Sequence, residues 1–336
     1  MTLVVDVGVF AHNEAAGIAA MVQALAAQDL LDAPGLDVRI FILANGCSDD
    51  TADRARSGMV PGITVAELAQ GGKSRTWNRF VHDLSRPNAD ILVFSDADIQ
   101  FPTRDTLRRL VEGLDQRSGL WALNSQPVKD IMANSNNLTL TDRLIVASAG
   151  SLYDWKTAIC GSLSAMPAAR ARAFHLPVGL PVEDGFLRAM ILTDVLTGPE
   201  DFSRIDGLDG LFHIYQSERR LGDLLRHQTR IVIGSAINTA CFDELRSLPP
   251  DLRKTALANI DESWLSEVIG RRLPCWPSGY VPVHFAIKRV QRALSRPKDL
   301  LNPKRLAVTA AGFGFDLIVY FRAQFSMARG TGSGHW

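Results

Sequence analysis

Short apolar runs alternate with amphipathic segments along the first third of the chain. The apolar runs are typical of buried strands, and the longer segments carry apolar residues at the spacing of a helix face. The pattern predicts strands over 3–9, 38–44, 63–66 and 90–94, and helices over 15–28, 73–84 and 104–115, with a short helix opening at Asp49. Repeated strand–helix units of this kind predict an α/β fold with a Rossmann-like, mostly parallel, doubly wound sheet.

The rest of the chain has a less regular pattern. Helices are predicted over 138–153 and 183–192, with a turn at 160–162, and the chain is mainly helical after Asp251, with proline-rich breaks near 274–282. We therefore expect one domain over 1–245, with halves over 1–125 and 126–245, followed by a helical region over 246–336.

Every predicted strand of the first half ends in a polar cluster. In chain order these clusters are His12, Asn13 and Glu14; Asn45 to Asp50; Gln70, Gly71, Gly72 and Lys73; and Asp96 with Asp98. Because ligands bind beyond the carboxyl ends of parallel strands, the four clusters are predicted to form one site. The sequence contains neither the glycine fingerprint of dinucleotide-binding domains after the first strand nor a phosphate-binding P-loop.

Asp96 and Asp98 carry the clearest chemical signal in these clusters. Two carboxylates one residue apart at the exit of a buried strand cannot be buried without partners, because an unpaired buried charge is too costly. They are placed to bind a divalent metal, which prefers oxygen ligands and can bridge to a phosphate. The alternative is a solvated turn, since aspartate also favours turns for local reasons.

Composition narrows the class of protein. The chain has 336 residues, of which 46% are hydrophobic and 21% charged, as in an ordinary globular protein, and its net charge is zero, so no nucleic-acid partner is expected. Four scattered cysteines argue against a zinc site or a disulfide framework and fit a reducing compartment. The N-terminus lacks the pattern of a signal peptide, and the longest apolar stretch, 306–321, is short and contains Asp316. We expect a cytoplasmic, non-spanning protein of undetermined oligomeric state.

The last fifth of the chain is strongly basic. Residues 268–336 contain eleven basic and two acidic residues, a net charge of +9, while the remainder carries −9. Apolar and basic residues alternate over 285–305, with Lys288, Arg289, Arg292 and Arg296 among them. This pattern predicts a peripheral contact with an anionic membrane surface, or else an ordinary solvated helix.

Taken together, the polar clusters resemble those of the family-2 glycosyltransferases with the GT-A fold, over about residues 4–233. The resemblance rests on the segments 11–14 and 45–51, on Gly72 and Lys73 with Asn78, on the Asp96–Asp98 motif, and on Val182, Glu183 and Asp184. In that family the Asp-x-Asp motif holds a metal on the donor diphosphate, and a later Glu-Asp pair supplies the catalytic base. The resemblance implies an inverting hexosyltransferase that uses Mn²⁺ or Mg²⁺. It would transfer one sugar from a nucleotide-diphosphate sugar, with UDP-hexose expected, to a glycan or lipid-linked acceptor of the cell envelope.

The resemblance assigns roles that the residue types can perform. Asp184 is the expected base, and Glu183 beside it would raise the pKa of Asp184 by like-charge repulsion; alternatively both acids only favour a helix start. Lys73 would lie beside the phosphates at a helix N-terminus, or else be a solvated surface lysine. In the half over 1–125, His12, Asn13 and Glu14 would enclose the nucleotide, or else begin a helix.

Several positions depart from the family pattern or have weaker assignments. Asn45 stands where the family commonly has an aspartate that pairs with uracil; its amide can still recognise a base, but uridine is less specifically indicated. Arg226, His227 and Arg230 occupy the place of a Gln-x-x-Arg-Trp motif of processive relatives, with Ile231 in place of the tryptophan, which argues against polymer synthesis. These three residues are candidates for diphosphate contact, or form a basic helix face. Further diphosphate or acceptor contacts are expected at Gly161, Ser162 and Glu183, and Trp121, Tyr153 and Trp155 either line the acceptor site or belong to the core.

Two other functions compete with this interpretation. A sugar-1-phosphate nucleotidyltransferase has a similar sheet, but it needs a glycine-rich loop with an arginine directly after the first strand, where this chain has His12, Asn13 and Glu14. A non-catalytic nucleotide-sugar-binding scaffold would have no need of Asp98 and Asp184.

Overall fold

A computed structural model of the chain describes residues 2–58, 60–133, 155–218, 220–295 and 302–331, without the side chain of Lys304. Within these residues eight strands form one sheet in the order β3-β2-β1-β4-β7-β6-β8-β5. The strands are β1 (Leu3–Ala11), β2 (Leu36–Asn45), β3 (Ile63–Leu68), β4 (Ile91–Asp96), β5 (Ile99–Gln100), β6 (Ala122–Lys129), β7 (Leu163–Pro167) and β8 (Ile205–Tyr215). The predicted α/β class and the four strands of the first half are confirmed.

The two halves of the sheet differ in strand direction. β3, β2, β1 and β4 are parallel, as predicted, whereas β7 runs antiparallel to both β4 and β6. β8 pairs in parallel with β6 and antiparallel with β5. The sheet is therefore mixed, because the chain returns through β7 in the opposite direction, and the sequence pattern predicted none of β5 to β8.

Twelve α-helices are described, around this sheet and in the C-terminal region of the chain. They are α1 (Ile18–Ala26), α2 (Thr51–Ser57), α3 (Lys73–Asn78), α4 (Thr106–Asp115), α5 (Asp130–Ala133), α6 (Ala168–Ala171), α7 (Glu183–Thr193), α8 (Leu221–Arg246), α9 (Pro250–Ala258), α10 (Trp264–Arg272), α11 (His284–Leu294) and α12 (Pro303–Ala328). A π-helical segment, Arg79–Leu84, continues α3 directly, so the helix predicted over 73–84 is confirmed as one unit. The helix predicted over 138–153 lies outside the described residues.

Apolar clusters cover both faces of the sheet. Alternate residues of β1 point to opposite faces, so Val7 lies in one cluster with α1 and α4, and Phe10 lies in the other. On the second face Phe10 stacks on Phe94, with 6.4 Å between ring centroids. Gly8 is required there, because a Cβ atom at this position would lie 2.8 Å from the ring of Phe80. This packing holds the ends of β1 and β4 in a fixed relation.

The C-terminal region is helical, as predicted. One of the described helices, over Arg305–Ala328, is long and apolar enough to cross a membrane by length and composition, although its apolar part is only 11% buried. The sequence pattern predicted no such helix because of Asp316. In the structure this carboxylate accepts hydrogen bonds from Arg289 of α11, at 2.8 and 3.3 Å.

Candidate active site

The polar clusters of the first half meet at one edge of the sheet, as predicted. Ala11 is paired with Ala44 in the β1–β2 register, and Phe10 with Asp96 in the β1–β4 register. The carboxyl ends of β1, β2 and β4 therefore lie side by side. The loops that follow them carry the side chains of the candidate site.

Lys73, at the start of α3, lies between the two halves of the domain. Its ammonium nitrogen is 2.7 Å from Asp96 Oδ1 and 3.5 Å from Glu183 Oε1, and it donates a hydrogen bond of 2.9 Å to the carbonyl oxygen of Gly161. Burial lowers the pKa of Lys73, but the carboxylates of Asp96, Glu183 and Asp184 outweigh burial and raise it above its ordinary value. The alternative of a solvated surface lysine is therefore wrong.

Glu183 and Asp184 form the first turn of α7, opposite Lys73. Burial is the largest cause that raises the pKa of Asp184, to about 6, and the charge of Glu183 is the second; Lys73 and Arg230 act in the opposite direction. The expected repulsion is thus present but is not the main cause. Asp184 Oδ1 also accepts the amide hydrogen of Gly185, at 2.7 Å, so the helix-start role and the raised pKa coexist.

The Asp-x-Asp motif divides its two carboxylates between different surroundings. Asp96 is partly buried and paired with Lys73, whereas Asp98 is exposed to solvent. Nearby, burial and then the charges of Asp98, Asp49 and Asp96 raise the pKa of Glu14. This concentration of carboxylates at one edge is chemically suited to a hard divalent cation, which takes oxygen ligands.

The metal fit is partial within the protein alone. Among the described residues, no group of three or more His, Cys, Asp or Glu side chains is arranged to hold a metal ion. Asp98 and Asp96 would therefore supply part of a coordination shell, and a diphosphate and water would complete it. Because Lys73 already binds Asp96, Asp98 is the more available ligand.

The loops after β1, β2 and β3 are joined by hydrogen bonds. His12 Nδ1 lies 2.7 Å from the carbonyl oxygen of Asn45, and Asn13 Oδ1 accepts the amide hydrogen of Ser48 at 2.8 Å. Asn13 itself has a φ of +55°. At Gly46 a Cβ atom would lie 2.5 Å from the nitrogen of Gly71, so the loops approach too closely for a side chain. The carbonyl oxygen of Glu14 accepts the amide hydrogen of Ile18, the first residue of α1, at 2.9 Å, so the cluster at 12–14 lies at the site edge and also leads into the helix.

Residues 6–139 match the family model described as glycosyl transferase family 2. This segment is a family 2 glycosyltransferase domain. A comparison with curated proteins finds no match. The chain is similar in fold to the mannosyltransferase PcManGT from Pyrobaculum calidifontis in complex with GDP-Man and Mn²⁺, with 18% identity, a TM-score of 0.55, and coverage of 95% of this chain and 86% of that one.

Two further solved structures are more distant in fold. Glucosyl-3-phosphoglycerate synthase from Mycobacterium tuberculosis, in complex with Mn²⁺, UDP-glucose and phosphoglyceric acid, is 18% identical, with a TM-score of 0.49 over 71% of this chain and 79% of that one. Mannosyl-3-phosphoglycerate synthase from Rubrobacter xylanophilus is 15% identical, with a TM-score of 0.48 over 70% and 73%. At such identities the comparisons with solved structures concern the fold, which is that of GT-A glycosyltransferases.

Asn45 of the glycosyltransferase is turned toward the backbone. Its Nδ2 donates to the carbonyl oxygen of Ala11 at 2.8 Å, its Oδ1 accepts the amide hydrogen of Gly72 at 3.3 Å, and the residue is only 4% exposed. The amide that was expected to recognise the base is thus used to hold the three loops together. A base contact through this side chain would require the exchange of these bonds.

His213 of the glycosyltransferase was missed by the sequence analysis. It is fully buried in β8, with Nε2 2.7 Å from Ser162 Oγ and Nδ1 3.0 Å from Ser125 Oγ, and burial lowers its pKa to about 4. The carbonyl oxygen of Ser162 in turn accepts the amide hydrogen of Asp96 at 2.9 Å. His213 therefore supports the turn at 160–162 from behind. The sequence pattern that could have placed His213 in a buried strand is the alternation of Leu211, His213 and Tyr215, and the glycines before these residues obscured it.

The remaining candidates are divided by the structure. Among the three basic residues of α8, the charge of Arg230 acts on Asp184, whereas Arg226 pairs with Asp223, and His227 Nδ1 lies 3.2 Å from Glu218 Oε1. Burial is the first cause that lowers the pKa of His227. Only Arg230 of these three is thus assigned to the carboxylate cluster of the glycosyltransferase.

Of the aromatic candidates, Trp121 lies away from the sheet edge that carries Asp96. Trp121 precedes β6, at the opposite end of the sheet, with its ring between the guanidinium groups of Arg170 and Arg204, 4.1 and 4.3 Å from its centroid. Trp155 packs on Gly207, where a Cβ atom would lie 1.9 Å from the indole ring. Trp121 is therefore not an acceptor-wall residue, and Trp155 has a packing role; Tyr153 lies outside the described residues.

Proposed function

We propose that this glycosyltransferase moves a single sugar from a nucleotide-diphosphate hexose to an acceptor hydroxyl with inversion at the anomeric carbon. The observation that carries the proposal is the position of Lys73. Its ammonium group contacts Asp96 at the end of β4 and Glu183 at the start of α7. A donor-side carboxylate and the candidate base pair are thus held next to each other through one ammonium group.

The donor diphosphate would lie beside Asp98 and the N-terminus of α3. A divalent cation, Mn²⁺ or Mg²⁺, held by Asp98 with Asp96 alongside, would supply charge neutralisation for the diphosphate. Lys73 and the amide groups at the start of α3 add positive potential at the same place. The leaving diphosphate gains negative charge as the glycosidic bond breaks, so these groups stabilise the transition state more than the bound donor.

Asp184 is the proposed general base. Its carboxylate would take the proton of the acceptor hydroxyl while the hydroxyl oxygen forms its bond to the anomeric carbon, and the bond to the diphosphate oxygen breaks with its electron pair. A pKa of about 6 keeps Asp184 mostly ionised at neutral pH, yet makes it a stronger base than an ordinary aspartate. Arg230 would limit this rise and stand close to the same carboxylate.

The nucleotide and the acceptor are the finer parts of the proposal. We retain UDP-hexose as the first donor to test, and GDP-mannose as the second, because the fold relative PcManGT holds GDP-Man with Mn²⁺. Since Asn45 is occupied by backbone contacts, base recognition falls to the surrounding loops. We propose an envelope glycan or lipid-linked acceptor and a cytoplasmic, peripheral location, on the basis of the basic C-terminal region.

A nucleotide-sugar panel with and without Mn²⁺ or Mg²⁺ tests the function. We expect one nucleotide sugar to raise the melting temperature in a metal-dependent way, and slow donor hydrolysis to release nucleoside diphosphate and free sugar. Release of pyrophosphate from a nucleoside triphosphate and a sugar phosphate would instead indicate a nucleotidyltransferase. Donor binding without hydrolysis or transfer to any acceptor would indicate a binding scaffold.

A further inference from the structure

The last long helix, α12 (26 residues), has large apolar side chains on an outer face that points away from the fold. Ile318, Phe321 and Phe325 lie together on this outer face at helical spacing, and Leu306 and Val308 are exposed near the start of the helix. Between 49% and 63% of each of these five residues is exposed. Single exposed apolar residues are common on soluble proteins, whereas large apolar side chains that share one helix face mark an interaction surface.

Charged residues are few along most of α12. Residues 306–321 contain one charged side chain, Asp316, over about 24 Å of helix. Asp316 is bound by Arg289 of α11, so its charge is compensated within the protein. Arg305 precedes this stretch, and Arg322 and Arg329 follow it. On a helix that lies along a membrane surface, these flanking arginines can reach the anionic headgroups while the apolar side chains point inward.

The opposite face of α12 is attached to the rest of the protein. Val319, Ala323 and Met327 are buried in it. The side-chain amide of Gln324 accepts the amide hydrogen of Tyr280 at 2.9 Å and donates to the carbonyl oxygens of Ser278 and Val281 at 2.8 and 2.9 Å. If α12 crossed a bilayer, these contacts would be broken and the Gln324 amide would enter hydrocarbon. The attached face therefore favours a helix that lies along the membrane surface.

We propose that α12 anchors the protein by lying in the surface of an anionic phospholipid bilayer, with its outer face among the acyl chains. The neighbouring α11 presents Lys288 and Arg292 to solvent, and these cations would meet the headgroups. A second copy of the chain fits this face less well, because a two-fold contact would bring the basic α11 helices of both copies toward each other. Insertion of apolar residues of α12 is then the main contribution to membrane binding, in place of the basic segment over 285–305 alone. This anchoring does not depend on the identity of the transferred sugar.

Vesicle flotation with the full-length chain tests this anchor. The test variant carries Ile318→Ser, Phe321→Ser and Phe325→Ser, and the control carries Phe202→Ser and Leu252→Ser, two residues about half exposed elsewhere on the surface. Vesicles contain phosphatidylcholine with or without about one quarter phosphatidylglycerol. Because binding scales with inserted apolar area, we expect the test variant to float at least about tenfold less than the wild type, and the control to float equally well.

Salt and charge separate the two contributions. Wild type on phosphatidylglycerol vesicles is expected to keep part of its binding in about 1 M NaCl, because screening removes only the electrostatic part. Lys288→Gln with Arg292→Gln should weaken binding to these vesicles and leave binding to pure phosphatidylcholine unchanged. Donor hydrolysis should be the same in all variants, so a failed anchor and a failed glycosyltransferase assignment are distinguishable.

Four outcomes would overturn the proposal. The first is flotation of the test variant at the wild-type level. The second is that the wild type floats with neither of the two vesicle types. The third is a wild-type dimer in sedimentation equilibrium that the test variant loses, which would assign the outer face to a second copy. The fourth is protection of a C-terminal epitope from external protease in the vesicle-bound protein, since a helix lying on the surface leaves that end outside.

Discussion

The ammonium nitrogen of Lys73 lies 2.7 Å from Asp96 Oδ1 and thereby ties the start of α3 to the end of β4. The same nitrogen reaches Glu183 at 3.5 Å, so a single cation links the metal motif to the candidate base pair. Lys73 also lowers the pKa of Asp184, since its positive charge favours the ionised carboxylate. This residue therefore connects the electrostatics of the two halves of the site.

Lys73→Met is expected to weaken both stability and the site. Removing the cation leaves Asp96 and Glu183 without their shared partner, and charged hydrogen bonds of this kind contribute about 1.5–3 kcal/mol. The free energy of unfolding in urea should fall by roughly this amount. The pKa of Asp184 should rise further, so the acidic limb of the transfer rate should move to higher pH.

Lys73→Arg is the matched control, because it keeps a positive charge at the same position. It should retain most of the stability, and the acidic limb of its transfer rate should stay close to the wild-type pH. Equal stability of Lys73→Met and wild type, together with an unchanged pH profile, would contradict the role of Lys73 as a link.

Asp98→Asn is expected to remove metal-dependent donor binding and leave the fold intact. Asp98 is exposed, so its carboxylate supports no core contact whose loss would destabilise the protein. Titration calorimetry with Mn²⁺ and the nucleotide should show the loss, and circular dichroism should show an unchanged melting temperature. Asp115→Asn, at an exposed position in α4, is the control and should bind like the wild type. Wild-type affinity in Asp98→Asn would refute the metal assignment.

Asp184→Asn is expected to abolish transfer and spare nucleotide binding. A positioned general base contributes about 10²–10⁴-fold, and this loss should appear in kcat more than in donor affinity. In the wild type the rate should rise with pH through about pH 6, because the base acts in its ionised form. Near-normal turnover by the variant would mean that Asp184 only begins α7.

The raised pKa of Asp184 also predicts how stability depends on pH. Stability should fall as pH rises, whereas the transfer rate should increase. The pKa of Asp184 is raised from 3.8 to about 6 in the folded state, so folding favours the protonated form. The contribution of Asp184 to stability is therefore present below pH 3.8 and is lost as pH rises toward 6. Asp184→Asn should accordingly be more stable than wild type at pH 7.5, with the difference disappearing near pH 4. Glu183→Gln should shift the acidic limb of the transfer rate to lower pH, since the charge of Glu183 is one cause of the raised pKa of Asp184.

The sequence was sufficient for the parts of the site that topology determines. Parallel strands bring their carboxyl ends to one edge, so the positions of Asp96, Lys73 and the cluster at 12–14 followed from the order of elements. It was insufficient where an orientation depends on neighbouring backbone groups. Asn45 could have faced a base, but the carbonyl oxygen of Ala11 and the amide of Gly72 lie close enough to hold it.

The second half of the sheet was hidden for a different reason. β7 has only five residues, and β8 is interrupted by Gly207 and Gly210, so neither has the long alternation that indicates a strand. His213 was missed with β8. A buried histidine is recognised by what surrounds it, and the two serine hydroxyls that contact it come from β6 and from the turn at 160–162.

His213→Gln is expected to change how stability depends on pH. Burial lowers the pKa of His213 from 6.5 to about 4, so the folded protein holds the neutral ring while the unfolded chain takes up a proton. The stabilising contribution is complete above pH 6.5 and is lost as pH falls toward 4, by up to about 3 kcal/mol at 1.36 kcal/mol per pH unit. Urea unfolding of wild type across this range should therefore show a steeper loss than that of His213→Gln, which has no titrating group there. His284→Gln, an exposed histidine in α11, is the control and should follow the wild-type curve. Parallel curves for wild type and His213→Gln would show that the ring is protonated in the folded protein. The contact with Ser162 would then be made by a charged histidine.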